Sequence, residues 1–162
     1  LGLAAPDALH ISDVVSCPGA DYCSLAISRS MGVAAEIRHH LAQGGAAVEP
    51  LGVFRIRISG CPNSCGQHHV GDIGLTGMTV KGADGIERPH YSMLVGGAVG
   101  EDGGALGQRL PGKYPETEVP RTIAALAEFF RSQRQKGESF RTFVQRVGTP
   151  ALAEITKPFA AH

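Results

Sequence analysis

The chain has 162 residues, 43% apolar and 19% charged, which suits one ordinary buried core and excludes compositional disorder. Fifteen Lys and Arg balance fifteen Asp and Glu, so its charge invites neither nucleic acid nor an anionic membrane. No apolar run approaches the ~20 residues of a membrane span, no secretory pattern surrounds the first charge, Asp7, and a start at Leu1 rather than Met leads us to expect a tag-cleaved chain or a piece cut from a longer protein.

From Leu3 to Ser16 the chain reads as a short extended segment running into Cys17. Ile27, Met31, Ala34, Ile37 and Leu41 then recur at helical spacing, with Asp21 as N-cap and Gly44-Gly45 as stop. Phe54 to Ser59 alternates apolar and polar, as a half-buried strand does, and enters Gly60-Cys61. Val70 to Leu75 predicts a second strand whose glycines suggest a bulge or a close ligand, and His90 to Val95 a third, ended by Gly96-Gly97.

Residues 98–117, rich in Gly and Pro, read as a long loop. A helix follows from Pro120 with Ile123, Leu126, Ala127 and Phe130 as its buried stripe, and Gly137 ends it. Phe140, Phe143, Val144 and Val147 mark a shorter helix closed by Gly148, and Thr149-Pro150 opens a last turn or helix. Between Arg121 and Arg146 basic residues outnumber Glu128 and Glu138; this reads as the solvated face of amphipathic helices, with a docking surface for an acidic electron-transfer protein as the alternative. The order of elements predicts an α+β fold without internal repeats.

All four cysteines fall in pairs: five residues separate Cys17 from Cys23 and three separate Cys61 from Cys65. Such a set is open to four readings. Buried structural cysteines rarely occupy turns such as Cys17-Pro18-Gly19 or Gly60-Cys61-Pro62. Disulfides suit small secreted chains without a core. Structural zinc usually shows a two-residue spacing in at least one arm. An iron–sulfur cluster needs thiolates arriving from separate elements. Here Cys17 and Cys23 are expected just before and within the first turn of a helix, where unpaired N–H groups favour thiolate.

The surrounding residues carry more. Ser16-Cys17-Pro18-Gly19-Ala20-Asp21-Tyr22-Cys23 and Ser59-Gly60-Cys61-Pro62-Asn63-Ser64-Cys65-Gly66-Gln67, with 37 residues between the pairs, closely resemble the paired signature of the nitrite and sulfite reductase family. Asp72-Ile73-Gly74-Leu75-Thr76-Gly77, Gly96-Gly97 and the closing helices match as well, so the resemblance covers nearly the whole chain. It implies a mixed or antiparallel sheet flanked by helices, with residues 1–162 forming one cluster- and siroheme-binding domain and 116–162 its closing helices. It further implies a [4Fe–4S] cluster on Cys17, Cys23, Cys61 and Cys65, and siroheme, with Cys65 as the catalytic thiolate bridging cluster and haem iron. Asn63 resembles the family's polar residue at the siroheme edge; Gln67 and Gly60 are carried over as cofactor-binding positions.

The implied activity is six-electron reduction of nitrite to ammonia or sulfite to sulfide, by an oxidoreductase of which this chain alone is an inactive part. The implied partners are a missing N-terminal half holding the substrate-clamping residues, a ferredoxin or flavoprotein donor, and a small anion; no nucleic acid or membrane is expected. A reducing compartment, the cytoplasm, follows from the thiols. The rivals are a stand-alone iron–sulfur electron-transfer module and a zinc-stabilised interaction domain. Of the other polar residues, at most one of His68 and His69 is expected to reach a cofactor, since neighbours on a strand face opposite ways. His39, His40, Arg55, Arg57 and Lys81 read as structural or solvated.

Overall fold

The computed structural model describes residues 10–43, 51–100 and 103–161. Five strands form one sheet in the order β1 (Val14–Ser16), β2 (Ile56–Ser59), β3 (Ile73–Lys81), β4 (Glu87–Val95) and β5 (Gln108–Pro115). The pairings β1–β2 and β2–β3 are parallel, and β3–β4–β5 run antiparallel. Register places Ile58, Leu75, Met93 and Leu110 in one row on one face. That face carries the core: α1 (Ser30–Gln43), α2 (Val119–Gln133) and α3 (Phe140–Thr156) pack on it through Ile37, Leu41, Ile123, Leu126 and Phe143. Phe54 meets Phe140 at 4.8 Å and Phe130 at 6.2 Å between ring centroids, a spacing at which aromatic pairs attract. The α+β architecture with a mixed sheet agrees with the expectation.

The stripe of α2 is the expected one, all four residues being buried. In α3, Ser139 caps the first turn by accepting from the Thr142 N–H. Gly148 breaks α3 with φ 77 and ψ 155, so Phe140 to Val147 and the turns after Pro150 are separate pieces, as the sequence suggests. Basic residues after Arg121 are largely engaged: Arg121 pairs with Glu118, Arg131 with Glu128 and Arg146 with Glu138. Arg134 and Arg141 donate to the Leu51 and Gly103 carbonyls.

Three expectations need correction. The first helix begins at Ser30, not after Asp21. Between them the backbone is spent on tertiary bonds, Ile27 and Ser28 donating to the Gly60 carbonyl, while Asp21 holds Arg29 at 2.7 Å instead of capping a helix. Ile27 is accordingly exposed; within α1 Met31 is also exposed, and Val33 joins Ala34, Ile37 and Leu41 in the buried stripe. Next, part of the expected loop 98–117 is β5, an edge strand in which Pro111 and Pro115 are tolerated because an edge leaves N–H positions unpaired. Finally, Val70 belongs to a 3-10 turn, His68–Val70, and β3 starts at Ile73. The Gly44-Gly45 stop and residues 1–9 of the leading segment lie outside the described residues.

The sheet's second face is crossed by the segment joining β2 to β3. A Cβ on Gly74 would run into the His68 carbonyl oxygen and one on Gly66 into that of Ile58, while one on Gly97 would stand 2.5 Å from the Gly71 oxygen. Backbone lies directly on backbone there. Asp72, only 6% exposed, accepts the Arg55 N–H at 2.8 Å and ties the segment's end to the residue before β2. Burial lifts its carboxyl to about 6, only partly opposed by that hydrogen bond and the Arg55 charge.

Gly74→Ala is expected to destabilise the chain by on the order of 3 kcal/mol in urea unfolding. Gly32→Ala, in α1 with its nearest neighbour at 4.0 Å, should instead stabilise by about 0.5–1 kcal/mol; equal effects would refute the packing account. Between about pH 4 and pH 6 folded Asp72 holds a proton that the unfolded chain releases. Stability should therefore fall by roughly 2–3 kcal/mol as pH rises through that window, and Asp72→Asn should flatten the profile there.

Candidate metal centre

Because β1 and β2 are parallel neighbours, the chain leaves both at the same end of the sheet, and it leaves through cysteine loops. The Cys17 N–H donates to the Ile58 carbonyl at 3.0 Å, extending the ladder by one rung. The Gly60 N–H donates to Cys17 Sγ at 3.1 Å. The Gly60 carbonyl then accepts from the Ile27 and Ser28 N–H groups at 2.8 and 3.1 Å and, weakly, from the Ser28 hydroxyl at 3.4 Å. A Cβ on Gly60 would stand 2.8 Å from the Ser28 oxygen and 3.1 Å from Gly19 Cα, and Gly19 itself has φ +64 and Ser30 pressed against it. Both positions thus require glycine.

Cys17 and Cys23 are half-buried, Cys61 is 7% exposed and Cys65 faces solvent; all four are free thiols. Burial pushes the Cys17 thiol up, but the Ser30 hydroxyl and the Gly60 and Gly19 amides outweigh it and leave the thiol below its ordinary value. Ser30 Oγ lies 3.3 Å from Cys17 Sγ and also donates to the Cys17 carbonyl at 2.7 Å, so its single proton serves one of them at a time. Cys17 and Cys23 flank the 3-10 turn Gly19–Asp21 and do not sit at the start of α1; only Ser30, the first residue of α1, brings that helix to the thiol. The expected helix-terminal amides are replaced by a strand-end amide, that of Gly60.

Cys65 stands on a turn held from several sides. Ser64 and Gln67 both lie in the left-handed region, φ 60 and 56, which costs a non-glycine residue on the order of 1–3 kcal/mol. Gln67 N–H donates to the Ser64 carbonyl at 2.8 Å, Gly66 N–H to Ser59 Oγ at 3.1 Å, and Ser64 Oγ is hydrogen-bonded to His69 Nδ1 at 2.9 Å. Asn63 and Gln67 are exposed on this loop. His68 is buried with Nδ1 2.9 Å from Ser59 Oγ, and burial with the neighbouring His69 ring pushes it down to about 4, so it is neutral at pH 7. His68 is therefore a structural anchor and His69 a brace on the cysteine turn. Arg57 departs from the solvated reading: its Nε is buried and has no hydrogen-bond partner among the described residues.

Among the described residues no three His, Cys, Asp or Glu side chains converge on a point where one metal ion would sit. A structural zinc site needs four donors on one ion. A cubane instead takes one thiolate per iron, so its ligands stand apart around a bulky group. The two clasped loops carry four free thiols, one receiving a backbone N–H and another exposed; in donor chemistry, thiolate only, the set is of the kind a cluster takes. Tyr22 and Leu25, 80% and 69% exposed beside Cys23, add apolar surface to the rim. The sequence reading passed over Ser28 and Ser30, which carry no motif of their own.

A family model described as "Nitrite and sulphite reductase 4Fe-4S domain" matches residues 9–160. The chain is 33% identical to the assimilatory ferredoxin-dependent nitrite reductase of Haloferax mediterranei, covering 89% of this chain and 24% of the relative. It is 30% identical to a ferredoxin sulfite reductase of Mycolicibacterium paratuberculosis, covering 90% and 27%. It thus spans about a quarter of the length of these curated relatives. Among solved structures, the Mycobacterium tuberculosis NirA protein superposes with a TM-score of 0.72 at 25% identity, covering 86% of this chain and 26% of that one.

Exposure and hydrogen bonding set the thiol reactivities of the metal-free chain. Iodoacetamide followed by mass spectrometry should modify Cys65 and Cys17 first and Cys61 at least about tenfold more slowly. Rapid labelling of Cys61 would contradict the loop packing.

Proposed function

The chain belongs to the nitrite and sulphite reductase 4Fe-4S domain family, and from that membership we propose that it is the cluster- and siroheme-binding part of an assimilatory-type nitrite or sulfite reductase. Cys17, Cys23, Cys61 and Cys65 would hold the [4Fe–4S] cluster, with Cys65 shared with the siroheme iron. When bound, these groups supply electrons singly to the six-electron reduction of nitrite to ammonia or sulfite to sulfide. The observation that carries this reading is the clasp of the two cysteine loops at Gly60, which aims an amide at Cys17 Sγ.

Each residue's part follows from its position. The Gly60 and Ser30 donors favour the thiolate form that a metal ligand requires. Burial of Cys61 keeps water from one side of the set, and exposure of Cys65 leaves its sulfur open to a second group. Asn63 and Gln67, exposed on either side of Cys65, would border that group, and Gly60 leaves room at the loop contact. Residues 1–162 would act as one domain closed by 116–162. The substrate-clamping cations and the rest of the siroheme site would lie in the remainder of a longer enzyme, consistent with the share of its relatives that this chain spans.

The names of the relatives support a ferredoxin as donor, with a flavoprotein as the other option, since a sulfite reductase NADPH hemoprotein component is also similar at 31% identity. No described helix is long and apolar enough to cross a membrane; we place the enzyme in the cytoplasm, where thiols stay reduced.

Anaerobic reconstitution with iron and sulfide should yield a brown chain with about four irons and four sulfides. Cys→Ser at any of the four positions should abolish or sharply reduce that content. A colourless product that takes up zinc and never assembles a cluster would sink the proposal in favour of a zinc-stabilised domain.

A further inference from the structure

The β3–β4 hairpin outruns its neighbours in the sheet. β2 pairs with β3 only as far as Thr76, and β5 meets β4 no nearer the tip than the pair of His90 with Pro115. β3 and β4 stay paired beyond both, out to Lys81 and Glu87. The overhang, the loop 27–29 and the turn Glu116–Glu118 enclose a groove of about 760 Å³, a volume typical of binding pockets. Because β2 and β3 are parallel, the groove lies at the end of the sheet from which the cysteine loops leave. Its walls are largely apolar, built from Pro89, Pro115 and Ile27, and Ile27 is 41% exposed. Ile27 ends an exposed apolar run that starts at Tyr22 and Leu25 beside Cys23. Exposed apolar surface of this kind, rimmed by polar groups, marks a site of interaction.

The charges around the groove are matched but for one. Arg29 is held by Asp21 at 2.7 Å, Arg88 forks onto Asp84, and Glu87 stands opposite Lys81 in the strand register. Glu116 is half-buried, and its carboxylate has no hydrogen bond or ion pair among the described residues. Burial raises that carboxyl; the charge of Arg29 opposes the rise at a distance and that of Asp21 adds to it. His90, 7% exposed, has Nδ1 3.0 Å from the Arg88 carbonyl, so the neutral ring donates there and keeps Nε2 as an acceptor. The unused polar groups of the groove therefore accept protons in hydrogen bonds and carry negative charge. A cationic donor brought to Glu116 would form a charge-assisted bond shielded from water. An anion, or the acidic face of an electron carrier, would meet a like charge there.

We propose that this groove seats a segment from the remainder of the longer enzyme, which sets a Lys or Arg side chain on Glu116 and apolar side chains against Ile27, Pro89 and Pro115. The inference rests on the reading of the chain as part of a longer reductase. Its curated relatives place about three quarters of their length outside the matched region, since the chain spans 24% and 27% of them, so the occupant is sought in the same polypeptide. One wall of the groove is also the loop whose Ile27 and Ser28 amides are tied to the Gly60 carbonyl. A segment seated there therefore bears on the connection from Cys23 to α1.

The test places a thiol in the groove with Thr79→Cys, an exposed position on its wall, and follows maleimide labelling of that thiol by mass spectrometry. Labelling should be at least about tenfold slower in the longer enzyme than in this chain, because a seated segment excludes the reagent. Adding Glu116→Lys to the longer enzyme should speed it again by at least about fivefold, since like charges then meet. Glu116→Gln, which keeps the shape, should act in the same direction but less strongly, and Glu154→Lys on α3 should leave the rate unchanged. In this chain alone Glu116→Lys should keep the thermal midpoint within about 2 °C of the parent's, because the carboxylate has no partner to lose. Equal labelling of the two proteins would overturn the inference and leave the cluster reading standing. So would protection that neither Glu116 variant weakens, or protection that appears only when a ferredoxin is added, which would give the groove to the donor. A gene that encodes nothing beyond this chain removes the longer-enzyme reading first, and this inference with it.

Discussion

The contact on which the rest of the molecule depends is that of the Gly60 peptides with the loop from Cys17 to Ser28. Two parallel strands lie about 4.8 Å apart, so the segments leaving β1 and β2 start nearly in contact and must either splay or interlock. They interlock, because Gly19, Gly60 and Gly77 carry no side chains to hold them apart. Close approach buries polar backbone, and every such group then needs a partner. The Gly60 carbonyl finds three donors and its N–H finds a sulfur. The same requirement postpones α1: residues whose amides are committed to Gly60 cannot also wind into a helix, so the first turn waits until Ser30.

That competition between local and tertiary hydrogen bonding explains what could be read from the sequence. The stripe of α2 and the alternation from Phe54 to Ile58 are local patterns, and the structure keeps them, while Ser59, expected on the polar side, is buried. Ile27 fits a helical stripe equally well by spacing, yet it lies outside the core because the chain before Ser30 is held by Gly60; Met31, in the first turn of α1, lies on that helix's exposed side. β5 was hidden by its prolines, which mark a loop unless the strand is known to be an edge. His68 and His69 sit in a tight turn because the backbone crossing Gly74 leaves no room for an earlier start to β3.

The sheet's two faces divide the labour. The helix face supplies the apolar core that stabilises the fold. The other face supports a polar crossing segment, pinned at its start by Ser59 to Gly66 and His68 and at its end by Asp72 to the Arg55 amide. Neither anchor is cheap in free energy. A buried imidazole that stays neutral and a buried carboxyl raised to about 6 both give up solvation. Their placement makes sense if the segment between them has to be rigid.

That segment contains Cys65, and rigidity is what its backbone demands. Ser64 and Gln67 occupy left-handed conformations that a mobile loop would leave at once, since each costs on the order of 1–3 kcal/mol. The strain persists because the Gly66 N–H is held by Ser59 Oγ, His69 bonds Ser64, and both ends of the segment are tied to the sheet. An exposed thiol on a relaxed loop would sample many directions and pay an ordering entropy on binding anything. Held on a strained turn, the backbone that carries Cys65 is fixed before any group arrives, which is the preorganisation that its proposed role as a ligand would require.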